Sequence, residues 1–312
     1  MSIPRMTFVM PLRRDLQFTT NALPTVIKHA ARDDHEILIV LDTCPQEYEN
    51  SRRGIIYDVD ADRREREQVC RWIDAHRSLL DEHHVQVMES FGNEGCWTSG
   101  LRTAAAMNLG IEKASTEWIV GIGDEHLVFL PGWDKAMWSA IEGRNHEENV
   151  ATLVMVTPQV RESWPQPLKA SWIHAQRERS CHQLAFPLKA EHADARSARI
   201  SLASIEDFAR RARLPGGVYR ETCGERSLCH WLPMLMHRKL LKRIGGWPIS
   251  DASAMSFDIA LDDALGRANV QKRMPLDQFV MHSMHHVHID HDTDRVWADP
   301  RILADTAGAV VL

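Results

Sequence analysis

The chain has 312 residues, of which 44% are hydrophobic, enough for one large core or two modest ones, so a disordered or low-complexity protein is excluded. No apolar run approaches the roughly 18 to 20 residues of a membrane helix, and the opening MSIPRMTFVMPLRRD lacks a signal-peptide layout, so a cytoplasmic protein with no membrane span is expected. The net charge of -6 conceals an asymmetry, because residues 161–243 hold 16 Lys or Arg against 8 Asp or Glu, which suits an anionic partner.

Thr7 to Met10 is an apolar run ending in Pro11, Leu12, Arg13 and Arg14, a buried strand entering a loop. Phe18 to Ala31 carries Leu23, Val26, Ile27 and Ala30 at helical spacing, with Pro24 acceptable near a helix start. EILIVL at Glu36 to Leu41 is almost continuously apolar and stops at Asp42. Such a strand is buried on both faces and belongs to a mostly parallel sheet covered by helices. A charged helix over 60–83 follows, with Val69, Trp72, Ile73, Leu79 and Leu80 as its buried stripe. Val85 to Met88 is the third strand and leads into Phe91-Gly92-Asn93-Glu94-Gly95, whose glycines allow close backbone approach to a ligand. An Ala-rich helix over 97–113 is expected to close near Gly110.

The fourth strand, Trp118 to Ile122, runs into Gly123, Asp124, Glu125 and His126 and then a Pro131-Gly132 turn. Asp124 and His126 are two apart, so an extended chain presents both metal-capable groups on one side. A helix around 133–141 and a strand over 150–156 complete an alternating α/β pattern. Asp42, Asn93, Asp124 and His126 all fall just past strand ends, where parallel sheets bind ligands.

From Pro158 to Pro215 the alternation is lost, apart from a candidate helix over 201–213, and aromatic and basic residues suggest an ordered substrate-facing region. Leu232 to His237 reads as a strand, followed by a helix over 239–244 stopped by Gly245 and Gly246. A helix over 257–268, with Ser256 as its cap, carries Asp258, Asp262 and Asp263. A last strand at 278–281 precedes His282, His285, His286, His288 and His291. The six cysteines have no paired spacing and are expected as reduced thiols.

Together these motifs resemble the family-2 glycosyltransferases with the nucleotide-sugar-binding GT-A fold, well over about residues 6–140 and more loosely over about 232–288. The stretch MPLRR with Pro11 and Arg13, and EILIVLD ending at Asp42, are similar to the family's nucleotide-binding start. GNEGCWTSGLRTAAAMNLGIEKASTEW, with Asn93, Gly95 and Arg102, resembles its Asn-x-Gly and Asn-x-Gly-Ile pattern. Counting back from Pro131-Gly132-Trp133 puts the family's Asp-x-Asp metal motif on Asp124 and His126. That variant is similar to the Asp-x-His of polypeptide N-acetylgalactosaminyltransferases, where a later His completes the site, here His282 or His285.

The resemblance implies a GT-A α/β fold with a mostly parallel central sheet, helices on its faces and an irregular acceptor-side insertion. Residues 1–157 would form the nucleotide-sugar half and 158–312 the acceptor-binding, metal-completing half of one domain. It implies transfer from a nucleotide-diphosphate sugar, a UDP-sugar first, with Mn2+ or Mg2+; a carboxylate with an imidazole suits Mn2+ better. The catalytic base after Gly245-Gly246-Trp247 would be Asp258 or Asp262, although the family's usual Glu-Asp pair is absent. A saccharide or an anionic polymer such as modified DNA would suit the basic, aromatic 161–243 region as acceptor. Two other readings compete: a GT-A-like nucleotidyltransferase, against which the first loop lacks glycine, and a non-catalytic polyanion-binding protein.

Overall fold

The computed structural model describes residues 2–12, 22–42, 59–90, 99–122, 127–160, 183–188, 198–201, 207, 217–224, 233–248, 257–282 and 287–290. Three parallel strands open the chain: β1 (Met6–Leu12), β2 (Glu36–Asp42) and β3 (Val85–Ser90). Between them lie α1 (Leu23–Lys28), α2 (Val59–Ala75) and α3 (Arg77–Glu82). Then come α4 (Ser99–Lys113), β4 (Trp118–Gly121), β5 (Leu127–Phe129), α5 (Trp133–Ile141), β6 (Asn149–Thr152) and β7 (Val154–Val160). The remainder gives β8 (Gln183–Leu188), β9 (Ala198–Ser201), β10 (Val218–Thr222), β11 (Met234–His237), α6 (Arg238–Ile244), α7 (Phe257–Arg267), β12 (Gln271–Pro275), β13 (Phe279–His282) and β14 (Val287–Asp290).

The main sheet has eight strands in the order β10-β12-β6-β11-β4-β1-β2-β3, and the first four chain-order strands run parallel. β11 is inserted antiparallel between β4 and β6. The expected α/β architecture, a mostly parallel sheet with helices on both faces, is therefore present. Alternation along β1 explains the two layers of core. Met6, Phe8, Met10 and Leu12 pack with Val26, Val69, Trp72, Trp133 and Met137 on one face, which α1, α2 and α5 cover. Val9 faces the other way with Leu38, Ala106, Met107, Leu240 and Leu265, under α4, α6 and α7.

Three sequence expectations change. The charged 60–83 helix is two helices, interrupted at His76, whose ring stacks on Trp72 with centroids 4.5 Å apart. The Ala-rich helix ends at Lys113 as its expected 97–113 range has it, but Gly110 is an approach point within it and not a stop: a Cβ there would lie 2.3 Å from Val9 Cγ1. The single strand expected over 150–156 divides at buried Leu153. Its first part, β6, bonds to β11 and β12 in the main sheet. Its second, β7, crosses into a four-stranded sheet ordered β5-β13-β7-β8. Hydropathy reads both parts as one apolar run, since a change of sheet leaves no mark on it. Most of the expected 201–213 helix and Ser256 lie outside the described residues.

Candidate functional site

Because β1 to β4 run parallel, their carboxyl ends share one edge of the sheet, and the chain leaves that edge at Leu12, Asp42, Ser90 and Ile122. Pro11 is buried inside β1 opposite Val40, and Asp42 ends β2 opposite Ser90. Arg13, Asn93, Gly95, Asp124, His126 and His285 belong to segments outside the described residues that begin at this edge or adjoin β13. Arg102 lies in α4, and Asp258 in the first turn of α7. Among the described residues no three His, Cys, Asp or Glu side chains form a metal cage.

The small sheet brings two distant pieces of sequence together. β5 begins one residue after His126 and runs antiparallel to β13, with Leu127 opposite His282, Val128 opposite Met281 and Phe129 opposite Val280. Directly paired Cα atoms are about 4.5 to 5.5 Å apart. Leu127, the residue that follows the Asp124–His126 segment, therefore lies beside His282, the first of the late histidines, although 155 residues separate the two in the chain.

Motif residues shared by the resemblance turn out to do structural work. Asn108 clamps the Gly245-Gly246-Trp247 turn in both directions: its Nδ2 donates to the Trp247 carbonyl at 2.8 Å, and its Oδ1 accepts from the Trp247 N–H at 2.6 Å. Gly246, at φ 85°, leaves no room for a side chain, since a Cβ would lie 2.8 Å from Asn108 Oδ1. Trp247 in turn packs so closely on β4 that a Cβ at Gly121 would be 2.5 Å from its ring. The clamp fixes α4, α6 and β4 to one another immediately behind the carboxyl edge. Arg238 adds to it by donating to the Ala114 carbonyl past the end of α4.

Asp262 is engaged in a buried cluster. Its Oδ1 accepts from Lys272 Nζ at 3.0 Å and its Oδ2 from the Gly224 N–H at 2.9 Å, while Lys272 Nζ also lies 3.2 Å from Glu221 Oε1. Lys272 is 1% exposed and Asp262 6%. Gly266, a turn further along α7, allows contact with the Cys223-Gly224 backbone, where a Cβ would be only 2.6 Å from the Cys223 carbonyl. These contacts dock α7 on β10 and β12. Asp263 of the same helix is exposed.

A second buried carboxylate holds α5. Asp134 accepts from the Ala31 N–H at 2.8 Å, the Arg32 N–H at 3.0 Å and His35 Nε2 at 3.0 Å. His35 Nδ1 accepts from the Met6 N–H at 3.1 Å, so Nε2 carries the proton it donates. Burial pushes the Asp134 carboxyl up, but the His35 and backbone hydrogen bonds outweigh it and hold the group below the ordinary carboxylate range. Asp134 directly follows Pro131-Gly132-Trp133, and sequence reasoning passed over it because an acid in a first turn is commonplace. An open groove of about 540 Å³, with Lys135, Ser139, Val218, Asp277 and Gln278 in its walls, lies beyond the other end of β5 and β13.

No known protein family matches the chain, and no curated protein does either. The solved structures similar to this chain include the following three. The crystal structure of GalNAc-T7 with UDP, GalNAc and Mn2+ is 11% identical over 92% of this chain and 44% of that one, with a TM-score of 0.48. S. aureus TarS is 12% identical over 93% and 36% of the two chains, with a TM-score of 0.44. S. aureus TarS 1–349 in complex with UDP is 10% identical over 98% and 64%, with a TM-score of 0.46. This chain spans less than two thirds of the length of each, and identities this low assign no residue a role. No helix among the described residues is long and apolar enough to cross a membrane.

Proposed function

We propose that this chain is a metal-dependent glycosyltransferase of the GT-A type that moves a sugar from a nucleoside-diphosphate sugar, a UDP-sugar first, to an acceptor hydroxyl. The observation that carries the reading is the pairing of Leu127 with His282, which supports a shared site for the Asp124–His126 segment and the late histidines. The proposed donor set, one carboxylate with two imidazoles, suits a divalent transition ion such as Mn2+ better than Mg2+, which takes oxygen ligands. The third ligand is proposed to be His285, three residues past the end of β13 in the chain, with His282 at that end as the alternative.

A divalent ion bound there would neutralise charge building on a diphosphate leaving group. Around it, Asp42 at the carboxyl end of β2 is proposed to hold the nucleoside, together with Pro11, Arg13, Asn93, Gly95 and Arg102 on the same edge. The base is proposed to be Asp258. Asp262, four residues on, already has one oxygen bonded to Lys272 and the other to Gly224, so its role is to seat the helix that carries Asp258. The basic, aromatic 161–243 region is proposed to take the acceptor, a saccharide or an anionic polymer. UDP with Mn2+ should raise the melting temperature, and Asp124→Ala should abolish the metal-dependent part. The absence of a shift with any nucleoside diphosphate would sink the reading.

A further inference from the structure

β5 is an edge strand of only three residues, bonded to β13 on one side. Its other edge would carry unpaired backbone groups, and α1 satisfies them as a neighbouring strand would. Thr25 Oγ1 accepts from the Phe129 N–H at 3.0 Å while donating to the Ala22 carbonyl at 2.9 Å. His29 Nδ1, one helical turn later, lies 2.6 Å from the Phe129 carbonyl and must be the donor in that bond. The grip continues into α5. The His29 carbonyl accepts from the Gly132 N–H at 2.7 Å, and the Val26 carbonyl accepts from Trp133 Nε1 at 3.1 Å. Thr25, Val26, His29, Phe129 and Trp133 are all buried.

Two unrelated segments are thereby bolted together. α1 follows directly on residues 13–21, which leave the carboxyl end of β1. β5 follows directly on residues 123–126, which leave the carboxyl end of β4. Phe129 stands three residues past His126, about 10 Å along an extended chain. The four residues 123–126 span from a strand fixed in the main sheet to this clamped strand, and the Ile122 N–H is itself bonded to the Val9 carbonyl at 3.1 Å. With both ends fixed, the clamp sets where a short connection can place its side chains.

Resting on the reading of Asp124 and His126 as metal ligands, we propose that Thr25 and His29 are positioning residues: by fixing β5 to α1 they set the strand that follows directly on the proposed ligands. A side chain that only stabilised the fold would lower the melting temperature and leave metal affinity unchanged below it. A positioning residue alters affinity in the folded protein.

The test compares Thr25→Val, which keeps shape but removes the hydroxyl, with Thr25→Ser, which keeps the hydroxyl. Mn2+ affinity is titrated by EPR well below the melting temperature, and amide exchange of Phe129 is followed in parallel. Thr25→Val should weaken Mn2+ binding about tenfold, the scale seen when support behind a metal ligand is lost. It should also speed Phe129 exchange, and Thr25→Ser should restore both. If Thr25→Val does not fold, His29→Ala removes the second bond from α1 to the same residue, the one to the Phe129 carbonyl. Wild-type Mn2+ affinity in a folded Thr25→Val or His29→Ala protein would overturn the positioning role alone. A wild-type protein that binds no Mn2+ would overturn the ligand assignment and this role together.

Discussion

Asp134 and Asp262 are both buried carboxylates, and they are held by different kinds of partner. Asp134 is surrounded by three donors from the single stretch 31–35: the Ala31 and Arg32 N–H groups of the turn before β2 and the His35 imidazole, whose other nitrogen is tied to β1. Asp262 is opposed by a full positive charge, Lys272, and one backbone N–H. The first arrangement joins segments around the proposed metal strand, and the second seats the helix of the proposed base. Their weak points differ accordingly. Removing Lys272 strands charge inside the protein, whereas removing the Asp134 carboxylate strands donors.

The largest effect should follow from Lys272→Met. It leaves Asp262 without its counter-charge beside Glu221, which is itself mostly buried, and should cost about 3 to 5 kcal/mol in urea unfolding. A loss below about 1 kcal/mol would mean that the buried carboxylate is stabilised as Asp134 is, by hydrogen bonds alone.

Asp134→Ala should cost less, about 2 to 3 kcal/mol, because the orphaned groups are uncharged backbone donors and one ring N–H. Its acid signature sharpens the contrast. The folded Asp134 pKa is lowered, so its stabilisation is fully present above the ordinary carboxylate value of about 4 and is lost as pH falls through the folded value. Urea stability of the wild type should therefore fall across that acid window more steeply than that of Asp134→Ala. Equal slopes would contradict the hydrogen-bonded account of Asp134.

His237 is a third buried polar group, held by aromatic rings at the far end of the sheet, and should give the smallest effect. Its ring stacks on His146 with centroids 5.2 Å apart and meets the edge of Trp118, while Nδ1 accepts from the Lys239 N–H at the start of α6. Burial lowers its pKa and Glu117 only partly opposes this. The unfolded chain takes up the proton first, so stability is lost as pH falls below about 6.5. His237→Asn keeps a cap acceptor and removes the titration. The melting temperature of the variant should fall less than that of the wild type between about pH 7.5 and 5.5.

How much of this was legible in the sequence follows from the range of each interaction. β1, β2, β4 and the Pro131-Gly132 turn announce themselves through continuous apolar runs and local turn chemistry, and the structure has them within a residue or two. β10 and β12 did not, because Arg220, Lys272 and Arg273 interrupt any apolar run there. They are strand residues only because Lys272 meets Asp262 and Glu221, and Arg273 meets Asn149 Oδ1 at 2.6 Å. The same limit hid Thr25 and His29, whose partners are about 100 residues away. Asn108, Gly110 and Gly246 were visible as motif positions, yet their purpose, close packing and a two-way amide clamp, needed coordinates. Asp258 and Asp262 looked equivalent on one helix until Lys272 and Gly224 accounted for both Asp262 oxygens.

The central claim is that imidazoles from two ends of the chain meet on one divalent ion beside Asp124. Pulsed EPR of the protein loaded with Mn2+ reads nitrogen ligands directly. The account predicts coupling to two imidazole nitrogens, one lost in His126→Ala and the other in His285→Ala. Tightly bound Mn2+ with no nitrogen coupling, or with coupling unchanged in both variants, would contradict it.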